Sequence, residues 1–131
     1  MHDHRSLVAW QVSRQLYLEV FGLAARHGEP VLRPLFGQLQ RAALSVPLNI
    51  CEGYTWRPAR RWVGHLRIAY GSAVETRECL AILREIHPPT VQKVDTLVTL
   101  ATRSEGLVVG LLKRESPSLL TPHRSRRRSR P

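Results

Sequence analysis

The 131-residue sequence has few of the features on which metal sites, disulfides and membrane insertion depend. Its two cysteines, Cys51 and Cys79, have no other cysteine or histidine at ligand spacing, so we expect both to be small hydrophobic residues of helices. No apolar run approaches about 20 residues, the length of a transmembrane helix, and no N-terminal run is long enough for a signal peptide. The sequence therefore predicts a cytoplasmic protein with no metal, no cofactor and no membrane partner.

Catalytic motifs are also missing. The sequence contains no Gly-rich phosphate loop, no His-Glu-x-x-His run and no paired cysteine ligands. His65 and Cys79 are fourteen residues apart on one predicted helix. This separation corresponds to about 21 Å along the helix axis and rules out a Cys-His catalytic pair within one subunit. We therefore expect no enzymatic activity.

Acidic residues are scarce, whereas arginine is abundant. Lysine and arginine number 20 against 10 aspartate and glutamate residues, which gives a net charge of +10. Half of this excess lies in residues 114–131. A positive charge of this size favours nucleic acid or another polyanion as the partner, and a basic protein with no nucleic-acid role is the alternative interpretation.

Aromatic residues make up only 6% of the chain, so aliphatic and alanine packing must dominate the core of what is, at this length, a single domain. Apolar residues recur at helical spacing in four segments. We expect a first helix from about Ser6, as its N-cap, to His27, and a second from about Pro34 to Gly53. A third should start at Pro58, and Thr90 should cap a fourth.

The apolar pattern of these segments predicts how they pack. The third helix has a seam spaced alternately by four and three residues, namely Trp62, Leu66, Ala69, Ala73, Thr76, Leu80 and Leu83. The first has a broad face of Leu7, Trp10, Tyr17, Val20 and Ala24, widened by Val12, Leu16, Phe21 and Leu23. We predict an all-α, antiparallel up-down-up-down four-helix bundle over residues 1–113. Extra apolar surface on the first and fourth helices predicts association of subunits.

Residues 38–54, QLQRAALSVPLNICEGY, predict a helix with two different faces. The apolar stripe is Leu39, Ala42, Ala43, Val46 and Ile50. The polar stripe is Gln38, Arg41, Ser45, Asn49 and Glu52, which Ser72 and Glu75 join from the third helix. Pro47 should bend this helix or give it a wide turn, and Gly53 should let another backbone come close or let the chain turn. Gly71, in the middle of the third helix, predicts a close helix crossing there.

The polar stripe allows two interpretations. The carboxylates of Glu52 and Glu75 near Arg41 are groups that general acid–base catalysis uses. The same residues suit a buried Arg–Glu network that fixes the helix register. We prefer the structural interpretation, because no nucleophile with an adjacent base can be assembled and His65 lies two residues off that face.

The runs RAALSVPLNICEGY, residues 41–54, and HLRIAYGSAVE, residues 65–75, resemble a family of small bacterial four-helix-bundle proteins. These proteins were first met as products of intervening sequences in 23S ribosomal RNA genes, and they include the accessory variability proteins of diversity-generating retroelements. The family pattern is R-A-x-x-S-[IV]-P-x-N-I-x-E-G followed by A-x-G-S-x-x-E. The resemblance covers roughly residues 7–112.

The resemblance implies a ring-shaped homopentamer and a reverse transcriptase as one partner. It also implies that the motif residues hold the bundle together, namely Arg41, Ser45, Pro47, Asn49, Glu52, Gly53, Gly71, Ser72 and Glu75. The sequence departs from the family at Leu48 and Cys51, where small residues are more usual, and in its Arg-rich tail. The choice of partner therefore does not follow from the resemblance alone.

A basic cluster near the predicted start of the third helix is the best local indication of an anionic ligand. It consists of Trp56, Arg57, Arg60, Arg61 and Arg67. Cations at a helix N-terminus oppose its dipole unless an anion holds them, and an exposed Trp56 can stack on an unpaired base. The alternative is that Trp62 belongs to the core and the arginines only solvate the helix start.

Residues 114–131 predict a disordered basic tail. Such a tail binds phosphate backbones without sequence preference, and a tail that only improves solubility is the alternative. Its clustered arginines are Arg124, Arg126, Arg127, Arg128 and Arg130.

Two functional hypotheses follow. The first is a non-catalytic, homo-oligomeric accessory protein that holds RNA, DNA or their hybrid and docks a reverse transcriptase. The second is a protein-interaction scaffold whose charge serves an acidic protein partner.

Overall fold

Every regular element within residues 3–115, the part of the chain that the computed structural model describes, is a helix. The α-helices are α1 (Val8–Arg26), α2 (Arg33–Tyr54), α3 (Arg60–Ile86) and α4 (Val91–Glu115). Short 3-10 helices occupy His4–Ser6, Pro30–Leu32 and Pro88–Thr90. The predicted all-α fold of four helices is confirmed. No helix in this part of the chain combines the length and apolarity needed to cross a membrane.

The four helices form a closed bundle joined by connections of six, five and four residues. Each helix packs against its neighbours in the chain, and α1 also packs against α4. The buried residues form two apolar clusters, each with members from all four helices. One cluster contains Leu23, Phe36, Leu83 and Val94, and the other contains Ala9, Ile50, Trp62 and Val108. Residues early in one helix therefore meet residues late in the next, as the predicted up-down-up-down order requires.

A layer of hydroxyl side chains separates the two apolar clusters. Ser13, Thr76 and Ser104 are fully buried and come from α1, α3 and α4, while the half-buried Ser45 is the α2 member. Ser13 donates to the Trp10 carbonyl over 3.1 Å, and Thr76 donates to the Ser72 carbonyl over 2.7 Å. These two bonds return the Ser13 and Thr76 hydroxyls to their own helices, which is how a helical Ser or Thr is accommodated in an apolar core, whereas the buried Ser104 hydroxyl has no partner within the described residues.

The predicted seams of α2 and α3 are confirmed, because all of their seam residues are buried. The face of α1 differs from the prediction. Its buried residues are Ala9, Val12, Ser13, Leu16, Val20 and Leu23, whereas Tyr17 is half-buried and Phe21 is 54% exposed. The apolar residues of α1 span more of the helix surface than the core can cover, so sequence spacing did not identify which of them face inward.

Two helix starts also differ from the prediction. Ser6 does not cap α1, because it lies in the 3-10 helix that Asp3 caps by accepting the Arg5 N–H. The third helix begins at Arg60 and not at Pro58, because residues 55–59 form a turn in which the Ala59 N–H donates to the Trp56 carbonyl over 2.8 Å.

The end of α4 differs as well. The helix begins at Val91, directly after Thr90, whose hydroxyl donates to the His87 carbonyl over 2.7 Å. The helix continues to Glu115, two residues beyond the predicted end at 113. Lys113 and Arg114 form its last turn, where cations are favoured by the helix dipole.

The closest approach of α2 and α3 occurs at Gly53 and not at Gly71. A Cβ added at Gly53 would lie 2.5 Å from the Cβ of His65 and 2.9 Å from Cε3 of Trp62, so only glycine fits. Gly71 is exposed, and a Cβ there would meet nothing within 4 Å. The predicted close crossing at Gly71 is therefore wrong within a single chain, and the one at Gly53 is confirmed.

A crowded glycine, Gly53, and an open one, Gly64, give a matched test of the packing between α2 and α3. Gly53→Ala should lower the free energy of unfolding by about 1–3 kcal/mol, because the new methyl group overlaps a helix-bound Cβ that cannot rotate away. Gly64→Ala is the control, since Gly64 is an exposed position of α3 with nothing within 4 Å. It should raise that free energy by up to about 1 kcal/mol. Urea unfolding followed by circular dichroism measures both, and changes of the same sign would contradict the packing.

Candidate nucleic-acid interface and motif network

The family motif residues of α2 and α3 form a half-buried hydrogen-bond network. The Asn49 amide donates to the Ser45 carbonyl over 2.8 Å and to the Ser45 hydroxyl over 3.0 Å. The Ser72 hydroxyl donates to the same Ser45 oxygen over 2.8 Å. The Nδ1 atom of His65 lies 2.9 Å from Oδ1 of Asn49. Because an amide oxygen only accepts, Nδ1 carries a proton, and the network joins α2 to α3 through four side chains, two from each helix.

His65 was predicted to lie off the polar stripe, but the structure places it in the network. It lies seven residues before Ser72, which is two helical turns, so the two share a face of α3, and Asn49 of α2 meets His65 on that face. The close approach at Gly53 brings the His65 ring alongside Asn49, one turn earlier in α2. The seven-residue spacing of His65 and Ser72 was the signal available in the sequence. The contact of His65 with Asn49 depends on how α2 and α3 pack, which the sequence does not show.

The predicted buried Arg–Glu network is not what the structure contains. Arg41 is exposed and donates to the Gln38 side-chain oxygen over 2.9 Å, and the Gln38 amide donates in turn to Glu75. Gln38 therefore lies between the arginine and the carboxylate. Glu52 is exposed, and no residue of the described part of the chain bonds to it. Pro47 is buried within α2, which runs unbroken past it.

This arrangement does not suit acid–base catalysis. One carboxylate, Glu75, is held by an amide, and the other, Glu52, lies free at the surface, so the two do not converge on a common reacting position. Burial raises the pKa of the Cys79 thiol, and the negative charges of Glu75 and Glu78 raise it further. A thiol with a raised pKa is a poor nucleophile, consistent with Cys79 as a core residue.

The network can be tested by removing its central amide. Asn49→Ala should lower the free energy of unfolding by about 1–3 kcal/mol, because it leaves half-buried groups of Ser45 and His65 without a partner. Glu52→Ala is the matched control on the same helix, and it should change that free energy by no more than about 0.5 kcal/mol. Thermal and urea unfolding measure both. Equal losses in the two variants would contradict the assignment.

The chain between α2 and α3 places arginines over aromatic rings. The Arg57 guanidinium carbon lies 4.4 Å above the Tyr54 ring, and that of Arg61 lies 4.4 Å above the Trp56 ring. Trp56 is 45% exposed, whereas Trp62 is fully buried. Both guanidinium groups are thus held by cation–π contacts at the surface. Trp62 belongs to the core, as the alternative interpretation held, and two of the arginines near Trp56 lie over aromatic rings.

The charges at this corner have no acidic partner in the described structure. Arg57, Arg60, Arg61 and Arg67 are all exposed, and none of them forms an ion pair within residues 3–115. The first turn of α3 contains no acidic residue, and its N-cap, Ala59, offers no side-chain acceptor. The N-terminal amides of α3 therefore lie beside Arg60 and Arg61, and both favour an anion. We call these four arginines and Trp56 the arginine corner.

The remaining predicted nucleic-acid contacts lie outside the described residues. These are Arg124, Arg126, Arg127, Arg128 and Arg130 of the predicted tail. One further polar group lies at the opposite end of the bundle, where His27, Glu29 and His87 offer ligand atoms within 4.8 Å of one another. Sequence spacing did not suggest it, because these residues come from two connections far apart in the chain.

Comparison with known proteins supports the resemblance seen in the motifs. The family model for 23S rRNA-intervening sequence protein matches residues 5–110, which include both motifs and most of the helical bundle. Comparisons with curated proteins and with solved structures returned no match. Because the family match covers most of the chain, the protein belongs to the 23S rRNA-intervening sequence protein family.

Proposed function

We propose that the protein is a non-catalytic accessory protein that binds RNA or DNA without sequence preference through the arginine corner. The observation that carries this proposal is the set of four exposed arginines in the turn before α3 and its first turns, none of which forms an ion pair within residues 3–115. Two of them are stacked on aromatic rings. A guanidinium group held in this way keeps its N–H groups available for phosphate and loses little freedom on binding.

The corner combines the two elements that single-stranded nucleic acid recognition uses. Guanidinium groups and helix amides supply the positive potential that follows a phosphate backbone. The exposed Trp56 supplies an aromatic surface for a base. The predicted Arg-rich tail would add non-specific affinity in the same way. The family name connects these proteins with 23S rRNA, which agrees with a nucleic-acid partner but does not specify one.

We also propose that the chain forms a homo-oligomer, a pentamer by analogy with the family, and that a reverse transcriptase is a partner of the assembled ring. Leu18 and Phe21 support association, because they lie three residues apart on α1 and are 44% and 54% exposed. Within a ring, each arginine corner would be repeated about the axis and the positive field would add up.

A protein-interaction scaffold is the second candidate function. It is favoured by exposed isoleucines on α3, namely Ile68 and, about 21 Å further along the helix, the pair Ile82 and Ile86, each more than 40% exposed. Such residues suit an apolar partner surface. Under this hypothesis the arginines would contact acidic side chains, and nucleic-acid affinity would be weak at moderate salt.

The nucleic-acid proposal is tested with the triple variant Arg57→Ala, Arg60→Ala and Arg61→Ala. Binding of single-stranded and duplex oligonucleotides should weaken. On duplex DNA, the slope of log K against log salt should become shallower by about 0.9 for each phosphate contact removed. Fluorescence anisotropy at several salt concentrations measures both. Removal of residues 115–131 should weaken binding further.

The charge-matched control is the variant Arg26→Ala, Arg33→Ala and Arg103→Ala, which removes three exposed arginines away from the corner. Its binding should stay close to that of the unmodified protein. Equal effects of the two triple variants would show that only net charge matters. Absence of binding at moderate salt would favour the scaffold function.

The proposed oligomer is tested by mass. Light scattering coupled to gel filtration should give five times the 14.9 kDa chain mass. Phe21→Glu should shift the protein to smaller species, because it places a charge in the proposed contact without disturbing the core. Val31→Glu is the control, since Val31 is 84% exposed and lies outside α1. If the unmodified protein is a monomer, the proposed oligomer is wrong. The binding experiments then test the arginine corner by themselves.

A further inference from the structure

We propose that His27, Glu29 and His87 form a binding site for a divalent transition-metal ion such as Zn²⁺, at the end of the bundle opposite the arginine corner. The site would join the connection between α1 and α2 to the connection between α3 and α4. It is separate from the proposed nucleic-acid surface and does not depend on it.

The two histidines lie in the same kind of local structure. His27 is the C-cap residue of α1, and His87 is the C-cap residue of α3. Their backbone angles are similar, with φ −124° and ψ 73° at His27 and φ −137° and ψ 77° at His87. Each backbone N–H donates back to its own helix, to Ala24 and to Leu83 respectively. Because α1 and α3 run in the same direction, both histidines lie at the same end.

The ligand atoms are already close to metal-binding geometry. The Glu29 carboxylate oxygen Oε1 lies 3.7 Å from Nε2 of His87 and 4.0 Å from Nδ1 of His27. Nitrogen and oxygen ligands about 2.1 Å from a tetrahedral Zn²⁺ are about 3.4 Å apart. All three ligand atoms lie within 4.8 Å of one another, so side-chain rotations that bring them together by between a few tenths of an ångström and about 1.4 Å would complete the site.

Packing holds the two imidazole rings in place. The His27 ring is stacked on Phe36, with ring centres 6.4 Å apart and planes 9° apart, and it meets the His87 ring edge to face at 5.3 Å. Phe36 is itself a buried core residue. Nδ1 of His87 is buried and has no hydrogen-bond partner in the described structure, so no bond to a neighbour draws this ring away from Glu29. Because the imidazole rings are already held in place, they lose little conformational entropy when the ion binds.

The ligand set indicates which ions fit. Two imidazoles and one carboxylate suit Zn²⁺, Co²⁺ or Ni²⁺, and they leave a fourth position for water. Ca²⁺ and Mg²⁺ prefer sites built from oxygen ligands, so they should not bind here. The competing possibility is an ion pair between a protonated histidine and Glu29, which requires no metal.

The experiment uses full-length protein without a histidine tag, first treated with EDTA. Co²⁺ titration should produce the visible absorption of a four-coordinate cobalt site with one ion per chain, and Zn²⁺ should displace it. Zn²⁺ should also raise the melting temperature, because an ion that binds only the folded state stabilises it. The same concentration of Mg²⁺ should leave the melting temperature unchanged. A protein that gives neither the absorption nor a Zn²⁺ shift would overturn the proposal.

Variants locate the site. Glu29→Gln removes the charged ligand from an exposed side chain with little risk to folding, and it should weaken Zn²⁺ binding by about tenfold or more. His87→Ala should abolish it, with circular dichroism as the check on folding. The double variant His2→Ala and His4→Ala is the control, because these are the other closely spaced histidines. Binding that survives Glu29→Gln at full strength, or that disappears in the control, would place the ion elsewhere and overturn the proposal.

Discussion

The motif network and the arginine corner both depend on one contact, the close approach of α2 and α3 at Gly53. Because this position has no side chain, the His65 and Trp62 side chains pack directly against the α2 backbone. His65 then reaches Asn49, and Trp62 meets Tyr54 edge to face at 5.6 Å. These contacts fix the end of α2 and the start of α3. The five-residue turn that joins them then leaves Trp56 and the nearby arginines exposed at the surface. The motif network and the arginine corner are thus two consequences of one helix contact.

Polar groups follow two different rules in this bundle. Those between α2 and α3, such as Ser45, Asn49 and Ser72, are half-buried and bonded to one another, since an unpaired polar group in that environment is costly. Those of the arginine corner are exposed and form no ion pair within residues 3–115, and two of its guanidinium groups, those of Arg57 and Arg61, lie over aromatic rings. Ser45, Asn49 and Ser72 of the family motif therefore join the helices, whereas the residues proposed to contact nucleic acid belong to a separate, exposed cluster.

The two ends of the bundle differ in chemistry because antiparallel topology sorts the connections. One end contains the turn between α2 and α3 and is rich in arginine. The other contains both remaining connections, and there His27, Glu29 and His87 meet. The hydroxyl layer of Ser13, Thr76 and Ser104 lies between the two apolar clusters. Each end consequently has its own core, and substitutions at one end should have limited effect on the other.

Hydrophobic periodicity alone predicted four helices and the seams of α2 and α3, because spacing along one helix fixes which residues share a face. It did not find which residues of α1 point inward, nor that Gly71 is exposed. Those features depend on how much of each helix face is covered by the neighbouring helices, and the spacing of residues within one helix carries no information about that. The tertiary structure alone decided that His65 joins Asn49, that Arg61 covers Trp56, and that two histidines 60 residues apart lie against Glu29. Each of these contacts joins different segments of the chain, and only the packed bundle sets their distance.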